Sequence, residues 1–199
     1  MRKGLFRQLI PGGPGLWQKA VGVIALGGLL AGPGAAMSGE ATVLPEYQVK
    51  ALFLFNFTKY VDWPSEAFAR ADSPIMIGVL GDSGINEELK KAVATKTVNG
   101  RKIMIQETAS EEDWSKCHII FIGSSEKTRL PAILAKIRAL PILTVGEAGG
   151  FLDQGGIINF TKKDDRIRLE IDLEAARLAR VQIRSQLLSV ADTVKGKSN

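Results

Sequence analysis

PIMIGVLGDSGINEELKKAV, residues 74–93, decides the fold. Its first half is a short run, apolar without alternation, that ends in a glycine turn, and INEELKKAV then reads as an amphipathic helix. A strand apolar on both sides must be covered on both sides. That pattern belongs to a parallel sheet between helical layers, not to an antiparallel sheet with one wet face.

The same unit recurs downstream. A strand is expected around Ile103 to Gln106, then a short acidic turn or helix at SEEDW, the strand HIIFIG, a helix from about Ser125 to Ala139, and a strand at PILTVG. Upstream, EYQVKALFLFNFTKYVDWP places Tyr47, Ala51, Leu54 and Val61 at near-helical spacing, with Phe53, Phe55, Phe57 and Tyr60 thickening the face. Pro64 stops this helix. Being apolar around most of its circumference, it is expected to be largely buried.

The last third changes character. In GGIINFTKKDDRIRLEIDL, Ile167, Leu169 and Ile171 alternate with Arg166, Arg168 and Glu170, and Lys162 to Asp165 connect back to IINF, so a hairpin with one wet face is expected. Asp172 then caps a helix running to about Arg180, and VQIRSQLLSVA continues as strand or short helix. The reading is one α/β domain, a mostly parallel sheet with helices on both faces and a C-terminal β-hairpin, over residues 45–191. Residues 192–199 read as a polar tail.

The first residues do not belong to this core. MRKGLFRQLIPGGPGLWQKA is basic, VGVIALGGLLA is apolar and GPGAAMSGEA is rich in small residues, the three parts of an export signal, expected over residues 1–36. The apolar run from Ala20 to Ala31 is well short of the roughly 20 residues a spanning helix needs. A periplasmic location follows. Arg2, Lys3, Arg7 and Lys19 lie in this leader, so of the 26 basic residues 22 remain against 21 acidic ones, a balance of +1. With basic and acidic residues interleaved, as in KKDDRIRLE, a nucleic-acid partner is not expected.

Cys117 and His118, the single cysteine and the single histidine, are adjacent. Consecutive strand residues project to opposite faces, which works against a catalytic dyad, and no third group or oxyanion site is signalled. One Cys and one His are also far from a zinc pattern. No catalytic residue, metal ligand or cofactor site is assigned; Cys117 reads as a small buried hydrophobe or as a thiol able to pair between chains. The turn GVLGDSG lacks the Lys of a P-loop and the third glycine of a dinucleotide fingerprint, and in GSSEK Ser124 or Ser125 reads as a helix N-cap. Asn56-Phe57-Thr58 and Asn159-Phe160-Thr161 match the glycosylation triplet inside apolar elements.

Taken in order, EYQVKALFLFNFTKYVDWP, IGVLGD, CHIIFIGSSE, ILTVGEAGGFLDQGGIINF and RIRLEIDLEAARLARVQIRSQLLSVA resemble the YfiR family over roughly Glu46 to Ala191. The resemblance implies a dimeric periplasmic repressor, without enzymatic activity, that acts on the periplasmic sensor domain of an inner-membrane diguanylate cyclase and holds down cyclic di-GMP synthesis and biofilm formation. Relatives with more cysteines pair them within the chain; this sequence has only Cys117. Candidate partner-binding residues are Phe151 and Leu152 in GGFLDQGG and Arg166 and Arg168 on the wet face of the hairpin. Phe151 plugging the sheet edge is the competing expectation. Trp63 and Trp114, at element ends, read either as partner surface or as core lids. A second functional reading is a periplasmic small-molecule binding or sensor module, its ligand in a pocket at the strand C-termini.

Overall fold

The computed structural model describes residues 44–81, 84–107 and 111–196. The leader expected over residues 1–36 lies outside them, as do residues 82 and 83 of the GVLGDSG turn. Residues from Leu44 onward form one compact unit.

Six α-helices and ten strands are present among the described residues: α1 (Glu46–Tyr60), β1 (Val61–Asp62), β2 (Ile75–Leu80), α2 (Ile85–Val93), β3 (Thr97–Val98), β4 (Arg101–Glu107), α3 (Glu111–Trp114), β5 (Ile119–Ile122), α4 (Leu130–Ile137), β6 (Leu143–Gly146), β7 (Ile158–Lys163), β8 (Arg166–Asp172), α5 (Leu173–Leu178), β9 (Gln182–Ile183), α6 (Ser185–Leu188) and β10 (Thr193–Lys195). The main sheet has the order β10-β8-β7-β6-β5-β2-β4-β3. It is parallel from β4 through β7; β3 and β8 pair antiparallel with β4 and β7, and β10 runs parallel to β8.

The sheet is mostly parallel because its central strands are apolar on both faces and have helices to cover them. Ile75, Ile77, Val79, Ile119 and Phe121 join α1, α2, α5 and α6 in the larger core; Leu80, Ile120 and Ile122 join α3 and α4 in the smaller one. Successive strand residues thus serve alternate layers. Phe57 of α1 is fully buried, stacked on Phe160 of β7 at 6.0 Å, and burying such a ring contributes roughly 1.5–3 kcal/mol.

Local chemistry sets the element ends. Glu87 and Glu88 lie in the first turn of α2 and Lys90 and Lys91 in its last, each complementing the helix dipole. Asp172 accepts hydrogen bonds from the N–H groups of Glu174 (2.9 Å) and Ala175 (3.0 Å), the expected cap. That helix ends at Leu178, before Arg180, which takes a φ of 56°. In the β7–β8 hairpin Asp164 and Asp165 both have positive φ, the backbone of the tight turns that match strand twist.

Other boundaries differ from the sequence expectation. α1 stops at Tyr60, not Pro64, because Val61 and Asp62 turn extended and pair with Gln182 and Ile183. The helix expected from Ser125 begins at Leu130, with Pro131 in its first turn; Ser124–Glu126 is a separate 3-10 turn with no side-chain cap. Residues 193–195, expected in a polar tail, add β10 to the sheet edge.

Candidate functional site

β2 neighbours both β4 and β5, so the strand order reverses there, and ligands of open α/β sheets gather beyond the C-terminal strand ends near such a point. The loops after these strands meet closely. Gly81 takes a φ of 84°, which favours glycine, and a Cβ there would lie 2.4 Å from Ser125 Oγ. The next two strand ends deliver Ser124, after β5, and Glu147, after β6, to a cleft of about 340 Å³ beneath the first turn of α1. Its far wall is β7 and the start of β8.

Lys50 is the centre of this cleft. It is 4% exposed, yet its ammonium reaches Glu46 at 2.5 Å and Glu147 at 2.6 Å. The Glu147 side chain is almost as buried, and its second oxygen accepts the Ser124 N–H at 2.9 Å. Burial alone would lower the Lys50 pKa; the hydrogen bonds to Glu147 and Glu46 outweigh it and raise the value. The ammonium therefore stays charged, unsuited to act as a base or amine nucleophile. Its position also lets it lie 4.9 Å from the centre of the Tyr47 ring, within cation–π range.

Asn159 of β7 borders the cleft, but its side chain turns to the sheet face opposite Phe160. It is 3% exposed; Nδ2 donates to Glu170 at 3.3 Å, and Oδ1 is buried without a hydrogen-bond partner. The sequence reading missed Lys50, Glu147 and Asn159. The Glu46–Lys50 spacing of four was a visible signal for one helix pair, but the Glu147 contact spans 97 residues and Asn159 was read only as part of a glycosylation triplet.

The candidate partner residues fall in different environments. Phe151 is 1% exposed and Leu152 6%, both in the smaller core. The Phe151 ring lies between Gly146 and Gly156, where an added Cβ would sit 2.2 and 2.1 Å from it. A partner reaches neither residue in this conformation. Arg166 is exposed and Arg168 half-buried on the hairpin, with Arg168 3.4 Å from Asp192. Trp114 is buried, whereas Trp63 is half-buried and its indole N–H donates to the His118 carbonyl at 3.0 Å.

Cys117 and His118 both precede β5, so packing, not strand alternation, governs them. The Cys117 thiol lies in the smaller core, Sγ donating to the Asp113 carbonyl at 3.5 Å, and burial pushes its pKa up to about 11. The His118 ring stacks on Phe68 at 4.3 Å and meets Trp63 edge-on at 6.0 Å. Its Nδ1 accepts the Met76 N–H at 3.1 Å, and burial lowers its pKa to about 4, so the imidazole is neutral at physiological pH.

A family model described as YfiR/HmsC-like matches residues 47–192. No curated protein matches the chain. Among solved structures, a crystal structure of a conserved domain protein from Vibrio cholerae O1 biovar El Tor is similar at 16% identity and a TM-score of 0.46, over 60% of this chain and 54% of that one. The chain thus spans about half the length of that structure.

Proposed function

The chain belongs to the YfiR/HmsC-like family, and on that premise we propose that it is a periplasmic protein that binds the periplasmic sensor domain of an inner-membrane diguanylate cyclase and represses it, lowering cyclic di-GMP and biofilm formation. The family match over residues 47–192 carries this reading, since membership of the YfiR/HmsC-like family supports a regulator of the diguanylate cyclase system in general. No helix among the described residues is long and apolar enough to cross a membrane.

The described side chains support binding over turnover. The Cys117 thiol is protonated and buried, the His118 imidazole is neutral and walled in, and the Lys50 ammonium is held by two carboxylates. Such a protein controls an enzyme across the membrane only by binding one state of its external domain better than the other. Repression as a homodimer is part of the proposal.

Arg166, exposed, and Arg168, half-buried beside Asp192, are the cationic candidates for that contact. The test is complementation of a deletion strain with the double charge reversal Arg166→Glu, Arg168→Glu. A folded, exported variant that fails to restore the parental cyclic di-GMP level supports the assignment; full restoration removes these residues from the interface. A second reading, a periplasmic small-molecule binding or sensor module acting with another membrane protein, is favoured by one observation, the cleft beside Lys50.

A further inference from the structure

We infer that the chain pairs with a second copy of itself along the outer edge of β4, antiparallel, with Ile105 on the two-fold axis. This rests on the homodimer part of the reading above and names its interface; it makes no use of the cyclase.

β4 outlasts its outer neighbour. β3 pairs with its first two residues, Val98 with Arg101 and Thr97 with Lys102, and from Ile103 to Glu107 that side has no backbone partner among the described residues. The neighbouring strands fix which groups are free. On β2 the Met76 and Leu80 carbonyls accept the His118 and Gly123 N–H groups on the β5 side, so Ile75 and Ile77 turn their backbone groups to β4. In a parallel ladder those residues bond to the neighbours of their register partners Ile103 and Ile105, which include Met104 and Gln106. The N–H and C=O groups of Ile103, Ile105 and Glu107 therefore point outward.

This edge lacks the devices that keep sheet edges apart, which are charge, proline, a bulge or shortness. Ile103, Met104, Ile105 and Gln106 carry no charge, and Met104 is 50% exposed. The opposite edge, β10, is short and carries Lys195. One edge is guarded and the other is open.

The strand's own sequence selects the occupant. RKIMIQE is basic at its start and acidic at its end, so antiparallel pairing of two copies brings Arg101 and Lys102 of each toward Glu107 of the other, whereas parallel pairing would align like charges. The register follows from β3. With Ile105 on the axis, Ile103 faces the partner's Glu107 and Met104 faces the partner's Gln106, and every outward backbone group is paired. An axis at Met104 would instead drive the partner's Glu107 toward Arg101, a place that Val98 already holds.

The test combines light scattering on the chain as recovered from the cell with cysteine cross-linking. The parent should be a dimer. Met104→Lys with Gln106→Lys places like charges opposite each other twice, and should weaken the dimer at least tenfold while the circular dichroism of the folded chain is kept. Under mild oxidation a mixture of Met104→Cys chains and Gln106→Cys chains should form a disulfide-linked dimer at least fivefold faster than either variant alone. A parent dimer that the lysines leave intact, or whose mixed cysteines do not link, overturns the inference and leaves the homodimer standing on another surface. Faster linking of Met104→Cys with itself contradicts the register. A monomeric parent overturns both the inference and the homodimer reading, and leaves the edge to a strand of a different protein. If the double-lysine chain does not fold, the cross-link decides alone. Cyclic di-GMP enters none of these outcomes.

Discussion

Lys50 Nζ lies 2.6 Å from Glu147 Oε2, although 97 residues separate the two in the chain. This buried pair fastens α1 to the loop after β6, and through Glu147 Oε1 to the Ser124 N–H after β5. Three elements share one charged junction.

Removing one member strands the other. Lys50→Met leaves Glu147 buried and unpaired, and should destabilise the protein by about 3–5 kcal/mol. The double variant Lys50→Met, Glu147→Leu should recover much of that loss, because apolar residues of similar size replace a buried pair at little net cost. Urea titrations of the parent, both singles and the double check this. Additive losses would show that the pair is not coupled.

Phe151→Ala should cost about 3–5 kcal/mol, the usual penalty for emptying a buried aromatic site. Gly146→Ala should also destabilise, since its Cβ would strike the Phe151 ring at 2.2 Å. Thermal melts decide between packing and contact. A Phe151→Ala protein that melts like the parent yet loses regulation would restore Phe151 as a partner contact in an opened loop.

His118 makes stability depend on acid. Its folded value is near 4 against an ordinary 6.5, so below pH 6.5 the unfolded chain binds a proton that the folded one refuses. Stability should therefore fall as pH drops from 6.5 toward 4 and level off below that for this group. Protonation would also break the Met76 N–H bond to Nδ1. In His118→Gln this part of the pH dependence should vanish; an identical slope in parent and variant contradicts the assignment.

Cys117 should behave as a core residue. With its thiol raised to about 11 from an ordinary 9, the folded protein resists forming the thiolate, and this group's contribution to stability is kept below pH 9 and lost as pH rises toward 11. Alkylation at pH 8 should be slow in the folded protein and fast in urea. Rapid labelling, or a disulfide-linked dimer of folded chains, would show the thiol to be accessible.

The sheet was legible because its signal is local. The unbroken apolar runs of β2 and β5 announce two covered faces, and the alternation in RIRLEID announces the hairpin. What escaped depends on distant partners. Val61 and Asp62 leave the helix to pair with a two-residue strand more than a hundred positions away, too short for any periodicity. β10 is polar and forms only because β8 offers an edge. The cleft was foreseen in place, at strand C-termini, but not in composition, since Lys50 sits inside an apolar helix and Asn159 inside an apolar strand.

The most direct test of the central claim is cellular cyclic di-GMP in three strains: the parent, one deleted for this protein, and the deletion complemented with the exported form. The account predicts a rise on deletion that complementation reverses. An unchanged level, under conditions where the parent makes the protein, would contradict repression of a cyclase.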